Sequence, residues 1–329
     1  WRFGRIDENG TYINDPAFIC SRSGFKKGLL YQIVYTAIGA PILGLGFAAL
    51  RDCVSWIKYG SEHLPSPVAG IDRAYAYGLS QTGRLLRTYI YNDFNCDESG
   101  RETLDGIICN VAGGMRGEFN QRFGQNSKDR NNMLHQLFPF APTWQKDLQT
   151  KEIDSLHRRI ERRKSPLKVI YTNSSAEYYR TDASLVHTDP DGSIDLDLGT
   201  SVRVFAFAGT EHRAGMWPPT DLDESQNRSR NLRNMVDYTF LLRACLVSLS
   251  AWVEEQVDPP PSAHPLLKKG TATTIEQLKS LFNGIPGANY PTRHAILQRR
   301  QYLPSPENEH PTQLPPKVGT RFGSSVSTV

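Results

Sequence analysis

The residues best placed to do chemistry lie in Tyr75-Ala76-Tyr77-Gly78-Leu79-Ser80-Gln81-Thr82-Gly83-Arg84. A short apolar strand breaks there at a serine flanked by glycines, and a helix begins at once. A serine at such a hinge takes strained backbone angles that lift its hydroxyl above the sheet edge. The N–H groups of the helix start then face the same spot. That geometry suits nucleophilic attack on a carbonyl, with the Gln81 N–H donating to the oxyanion that forms. The spacing is Gly-x-Ser-x-x-Gly-Arg rather than G-x-S-x-G, because Thr82 occupies the second position after the serine. Gly78 and Gly83 let strand and helix approach. Leu85, Leu86, Tyr89 and Ile90 form the apolar face of the helix, with Arg84, Arg87 and Asn92 expected to turn outward. Arg84, next to the elbow, is the candidate for holding substrate.

A serine nucleophile needs a base and a carboxylate to orient that base, and both follow later in the chain. Each sits in a polar turn after a buried strand: Glu177 in Asn173-Ser174-Ser175-Ala176-Glu177, and His212 in Gly209-Thr210-Glu211-His212. Ligands bind at the carboxyl ends of strands in a parallel sheet, so Ser80, Glu177 and His212 should converge there. His212 would take the serine proton and return it to the leaving group, while Glu177 fixes the imidazole tautomer. Asp182 and Asp189 follow the same strand, but Glu177 lies soonest after Thr172 and has the least chain in which to wander. The second oxyanion donor is expected between Thr36 and Gly44.

These residues must be carried by a parallel α/β framework. Strand signals cover Leu29–Thr36, Ala74–Tyr77, Gly106–Ala112, Leu167–Thr172 and Val202–Ala208. Helical spacing of Phe47, Leu50, Val54 and Ile57 gives a helix over 46–58, and another long apolar-periodic helix runs from about Asp237 to Gln256. Residues 1–30 read as edge strands or a hairpin around Asn9-Gly10 and Asn14-Asp15-Pro16. The sequence predicts one domain over 1–329, with a cap or lid at 113–165 and a C-terminal extension at 258–329. Aromatics and prolines in 113–165 fit a satellite core under a long loop equally well. Within that region Ile153, Leu156 and Ile160 predict an amphipathic helix, whose solvated face carries Arg158, Arg159, Arg162, Arg163 and Lys164.

The net charge of +4 over 329 residues is small and dispersed, which argues against nucleic acid as a partner. No apolar run is long enough for a membrane span, so a soluble protein acting on a small-molecule ester is expected, with no cofactor. The oligomeric state is left open. Five cysteines show no C-x-x-C spacing and read as free thiols, although a Cys96–Cys109 bridge stays open. Asp189, Asp191, Asp195 and Asp197 cluster, but the spacing fails the EF-hand loop and a carboxylate-rich turn is expected instead of a metal site. A signal peptide, if encoded, would precede Trp1 and make the protein secreted or periplasmic.

On these stretches the chain resembles the α/β-hydrolase superfamily. More narrowly, LLYQIVYTA, GLGFAALRD, YGLSQTGRLLR, DESGRETLDGIICNVAGGMRGEFNQRF, YTNSSAEYYR, HTDPDGSIDL and FAGTEH resemble a group of α/β-hydrolase domain proteins, from about Trp1 to beyond Gly287. The elbow is also similar to that of glucuronoyl esterases, whose serine, acidic residue and histidine have the same order. The resemblance implies a mostly parallel sheet flanked by helices and a serine esterase working through an acyl-enzyme. A non-catalytic hydrolase-fold binding protein, or an amidase or peptidase with the same residues, are the alternatives. No His-Gly-Gly-Gly oxyanion motif is present. With fewer strands than the superfamily usually has, and with no initial methionine, the sequence reads as a piece of a longer protein.

Overall fold

A computed structural model describes residues 1–21, 23–27, 29, 31, 45–117, 119, 138–179, 182–223, 226, 228–288, 290, 298–301, 317–323 and 326–327. Four apolar runs become the strands β1 (Tyr75–Leu79), β2 (Gly106–Asn110), β3 (Lys168–Ser174) and β4 (Val202–Phe207). They form one sheet in the order β4-β3-β2-β1. Every pairing is parallel, with Tyr75 opposite Gly106, Ile107 opposite Val169, and Tyr171 opposite Val204. All four strands therefore deliver their carboxyl ends to the same edge.

Alternation along the strands decides which helix each face receives. Ile107, Cys109, Val169, Tyr171 and Val204 share one cluster with Phe47, Leu50 and Val54 of α1 (Leu45–Tyr59) and with Leu86, Tyr89 and Ile90 of α2 (Gln81–Tyr91). Ile108, Ile170 and Phe207 point the other way, toward Cys245, Leu249 and Trp252 of α5 (Thr239–Glu254). Leu249 is fully buried, and burying such a side chain contributes about 1.5–3 kcal/mol. Between α2 and α5 in the sequence come the short helices α3 (Arg158–Arg162) and α4 (Ser175–Tyr179). Beyond β4 the extension adds a short parallel contact, with Ala206 N–H donating to Ala263 O at 2.8 Å and Ala263 N–H to Val204 O at 2.9 Å.

Two local expectations are corrected. The Ile153–Leu156–Ile160 stripe is not one helix: Ile153–Asp154 pairs antiparallel with Gln145–Lys146, and only Arg158–Arg162 is helical. Asp154 is the reason, because its buried carboxylate accepts from Tyr91 OH at 2.8 Å and from Ser155 N–H at 2.8 Å, and meets Arg158 at 3.0 Å. Those bonds hold 153–154 extended, leaving Ile153 exposed while Leu156 and Ile160 enter the core. Arg87, expected outward, is completely buried. It donates to the carbonyls of Met115, Gly114 and Phe140, and its guanidinium lies 4.9 Å from the Tyr171 ring. The irregular chain at 112–116 and 138–141 covers α2 and brings carbonyls that need donors.

Of the predicted cap, residues 118 and 120–137 lie outside the described residues. In the described part, Met115, Phe138 and Phe140 form a cluster with Leu185 and Phe322. The predicted strand and oxyanion loop at 32–44 also lie outside the described residues.

By internal contacts the chain divides into residues 1–41 and 42–329. In the first unit Arg2–Phe3 pairs with Ile19–Cys20, and Arg5–Ile6 with Tyr12–Ile13. Asp7 closes the second turn by accepting from Asn9 N–H at 3.0 Å and Thr11 N–H at 2.7 Å. All five cysteines are free thiols.

Candidate active site

Ser80 joins β1 to α2 with φ 56 and ψ −112. A non-glycine residue in that region is strained, and the strain persists only where the surroundings enforce it. The enforcement is visible on both sides. Ser80 N–H donates to Asn110 O at 2.8 Å, while Thr82 Oγ1 both accepts from Leu79 N–H and donates to Leu79 O at 2.8 Å. Thr82, the departure from the commoner spacing, thus ties the turn shut. A Cβ at Gly78 would lie 2.6 Å from Thr82 O, and one at Gly83 would lie 2.9 Å from the Ala112 Cβ. Only glycine lets strand, helix and the next strand approach this closely. The Ser80 hydroxyl makes no capping bond, and Gln81 N–H stands at the first helical position, where no intrahelical acceptor exists.

At the neighbouring strand ends, α4 begins directly after β3 and turns Glu177 toward the segment that follows β4. Glu177 Oε1 lies 2.6 Å from His212 Nδ1. The other carboxylate oxygen accepts from Ser174 N–H at 3.1 Å and from Ser174 Oγ at 2.5 Å. Glu177 is therefore buried with both oxygens engaged, and His212 keeps 25% of its side chain exposed. Among the described residues no hydrogen bond joins Ser80 Oγ to His212. Ser174 gave no sign of this role in the sequence beyond a serine three residues before a carboxylate, a spacing too common to single out.

The alternative acids lie elsewhere. The Asp182 carboxylate covers Gly113, where an added Cβ would meet both of its oxygens at 2.5 Å. Asp189 folds back on its own turn, accepting from Ser193 N–H at 2.6 Å and Ile194 N–H at 2.8 Å. Asp195 accepts from Leu267 N–H and Lys268 N–H at 3.0 and 2.9 Å. Among the described residues no three His, Cys, Asp or Glu side chains group as a metal site would need. Half-buried Arg84 donates from Nε to Ala112 O at 3.1 Å, which holds its guanidinium at the end of β2. A cavity of about 270 Å³ opens beside α4, lined by Ser175, Tyr178, Tyr179, Phe207 and His264 among others; neither Glu177 nor His212 lines it. No helix among the described residues is long and apolar enough to cross a membrane.

The sequence model of a family described as alpha/beta hydrolase domain matches residues 27–291. The chain belongs to this family, and the four-stranded parallel sheet flanked by helices is its fold. No curated protein and no solved structure matches the chain.

Proposed function

From membership of the α/β-hydrolase family as premise, we propose that the protein is a serine hydrolase that cleaves carboxylic esters through an acyl-enzyme. Ser80 is the nucleophile, His212 the base and acid, and Glu177 the carboxylate that orients the imidazole. The observation that carries this reading is the 2.6 Å contact of Glu177 with His212 Nδ1, on the sheet edge that also bears the strained Ser80. With Nδ1 held by a carboxylate, Nε2 is the nitrogen left to accept a proton.

In the first half-reaction Ser80 Oγ bonds to the ester carbonyl carbon as its proton passes to His212 Nε2. The tetrahedral oxyanion is held by Gln81 N–H, and the bond to the alcohol oxygen then breaks as the alcohol takes the proton. Water then bonds to the acyl carbon as its proton passes to His212, and the bond from that carbon to Ser80 Oγ breaks as Oγ takes the proton, which releases the carboxylic acid and restores Ser80. In substrate-free sites the bond between nucleophile and base is often long and tightens on binding, so its absence here is compatible with the mechanism. Arg84 lies one helical turn after Ser80 and is assigned to hold the substrate.

Labelling with a fluorophosphonate, followed by a panel of short-chain and sugar-linked esters beside their amides, tests the reading. The likeness of the elbow to that of glucuronoyl esterases is the reason for the sugar-linked members. Ser80→Ala should retain the fold, abolish labelling and lower ester turnover by on the order of 10⁶. Labelling and turnover unchanged in that variant would overturn the proposal.

A further inference from the structure

Because Ser80 and His212 share no hydrogen bond, their separation is set by what holds each of them. Ser80 is tied to the end of β2, through its N–H on Asn110 O at 2.8 Å. The Asn110 side chain is buried: Oδ1 accepts from Thr172 Oγ1 at 2.8 Å, and Nδ2 donates to Tyr77 OH at 2.9 Å. His212 is tied differently. Its carbonyl accepts from Tyr238 OH at 2.8 Å, and among the described residues no other hydrogen bond reaches its main chain. Tyr238 is itself buried, immediately before α5, with its ring 5.4 Å from that of Phe207 at the end of β4.

Burial pushes the Tyr238 phenol up to about 12, with the Glu177 charge acting in the same direction and a hydrogen bond to Asn110 opposing them. The group therefore stays a neutral donor over the working range of pH. It stands between the residue that anchors Ser80 and the residue that needs to face it. We propose that Tyr238 is a positioning residue, which places the His212 imidazole relative to Ser80 by holding the His212 carbonyl from a ring packed on Phe207. Its catalytic consequence rests on the hydrolase reading above; its geometric consequence does not. Without the phenol hydroxyl the His212 carbonyl turns to water, while the flanking residues stay tied to 233–234, Glu211 through Asn234 N–H at 2.8 Å and through Arg233 at 2.9 Å, and Arg213 O through Arg233 at 3.4 Å, so the change is confined to His212 itself. A misplacement of about 1 Å at a reacting group costs on the order of 10²-fold in rate.

Tyr238→Phe keeps the ring and removes the donor. Expected are a fall of on the order of 10²-fold in kcat and in fluorophosphonate labelling rate, KM little changed, and a shifted or exchange-broadened low-field proton signal of His212 Nδ1. Thr239→Ala is the control for merely loosening the start of α5, because Thr239 donates both its N–H and its hydroxyl to the Asp237 carboxylate at 2.9 Å, and the substitution removes the hydroxyl bond without touching His212. It should lower the thermal midpoint and leave the labelling rate and the imidazole signal alone. If Tyr238→Phe keeps the wild-type Nδ1 signal, or if Thr239→Ala changes rate and signal as much, the proposal is overturned. If the wild-type chain takes no label at all, the hydrolase reading fails, and the imidazole signal still decides whether Tyr238 positions His212.

Discussion

Glu177 and Tyr178 are neighbours on α4, and each holds a histidine through one ring nitrogen, yet the two histidines sit in opposite situations. His212 meets a carboxylate at 2.6 Å and keeps a quarter of its side chain in solvent. His187 meets the Tyr178 phenol at 3.1 Å, stacks on His264 at 4.0 Å between ring centroids, and leaves Nδ1 without a partner. A proton arriving on His212 finds a negative charge to pair with. One arriving on His187 finds a phenol and a second imidazole. Burial first, then the neighbouring His264, hold His187 well below the ordinary imidazole range. Successive helical residues point about 100° apart, so one turn of α4 serves the sheet edge with one residue and a buried layer with the next. Partner and exposure, not residue type, separate the histidine proposed as the base from the one that is kept neutral.

The largest test of this comparison exchanges the two imidazoles in turn. His212→Asn should lower ester turnover by on the order of 10⁶, as loss of the base in such a triad does. His187→Asn should leave turnover per folded molecule near wild type, and lower stability by about 1–3 kcal/mol through the lost partner of Tyr178. Steady-state kinetics and urea unfolding on the same preparations separate the two effects. A folded His187→Asn protein with turnover reduced by orders of magnitude would erase the distinction.

A smaller effect should follow from the partners. Glu177→Gln keeps the shape of the side chain but removes the charge proposed to fix the tautomer, and turnover should fall by on the order of 10⁴. Tyr178→Phe should change turnover little, because among the described residues its hydroxyl bonds His187 alone. Asp182→Asn and Asp189→Asn should likewise leave turnover nearly unchanged, since one carboxylate covers Gly113 and the other closes its own turn. If Asp182→Asn proves the damaging change, a different carboxylate orients His212 in the working enzyme.

Parts of this arrangement are legible in the sequence because they are local. A strand running into Ser80 between two glycines, followed at once by an apolar helical stripe, is a pattern confined to residues 75–90. The strands and long helices of the sheet are likewise written in continuous apolar runs or in 3.6-residue spacing. What cannot be read depends on distant partners. Arg87 looks outward by its charge, yet carbonyls from Gly114, Met115 and Phe140 close over it. The stripe from Ile153 to Ile160 promises a helix, until Asp154 is claimed by Tyr91 and Arg158. Ser174 and Tyr238 show their roles only when Glu177 and His212 are in place, because a serine or tyrosine beside a helix start has many ordinary uses.

The smallest expected effect lies in the buried layer and concerns acid. His157 is fully buried with Nε2 at 2.8 Å from Tyr171 OH, and burial, with the Arg87 charge adding, pushes it down to about 3. His187 and His264 are also lowered, in each case mainly by burial. In the unfolded chain each imidazole returns to about 6.5, so below that pH the unfolded state binds protons that the folded state refuses. The stability these groups contribute is therefore fully present above about pH 6.5 and is lost as pH falls toward the folded-state values, at about 1.4 kcal/mol per pH unit for each fully neutral imidazole. Carboxylates titrate lower, near pH 4, so this window precedes ordinary acid unfolding. Urea midpoints should stay level between about pH 8 and 7, and should fall steadily from about pH 6 to 5. His157→Asn should flatten that fall by close to one proton, whatever it does to the midpoint itself. A wild-type midpoint that stays level down to about pH 5 would mean that these imidazoles accept protons in the folded state, and the contrast between His212 and its buried counterparts would then have to rest on exposure alone.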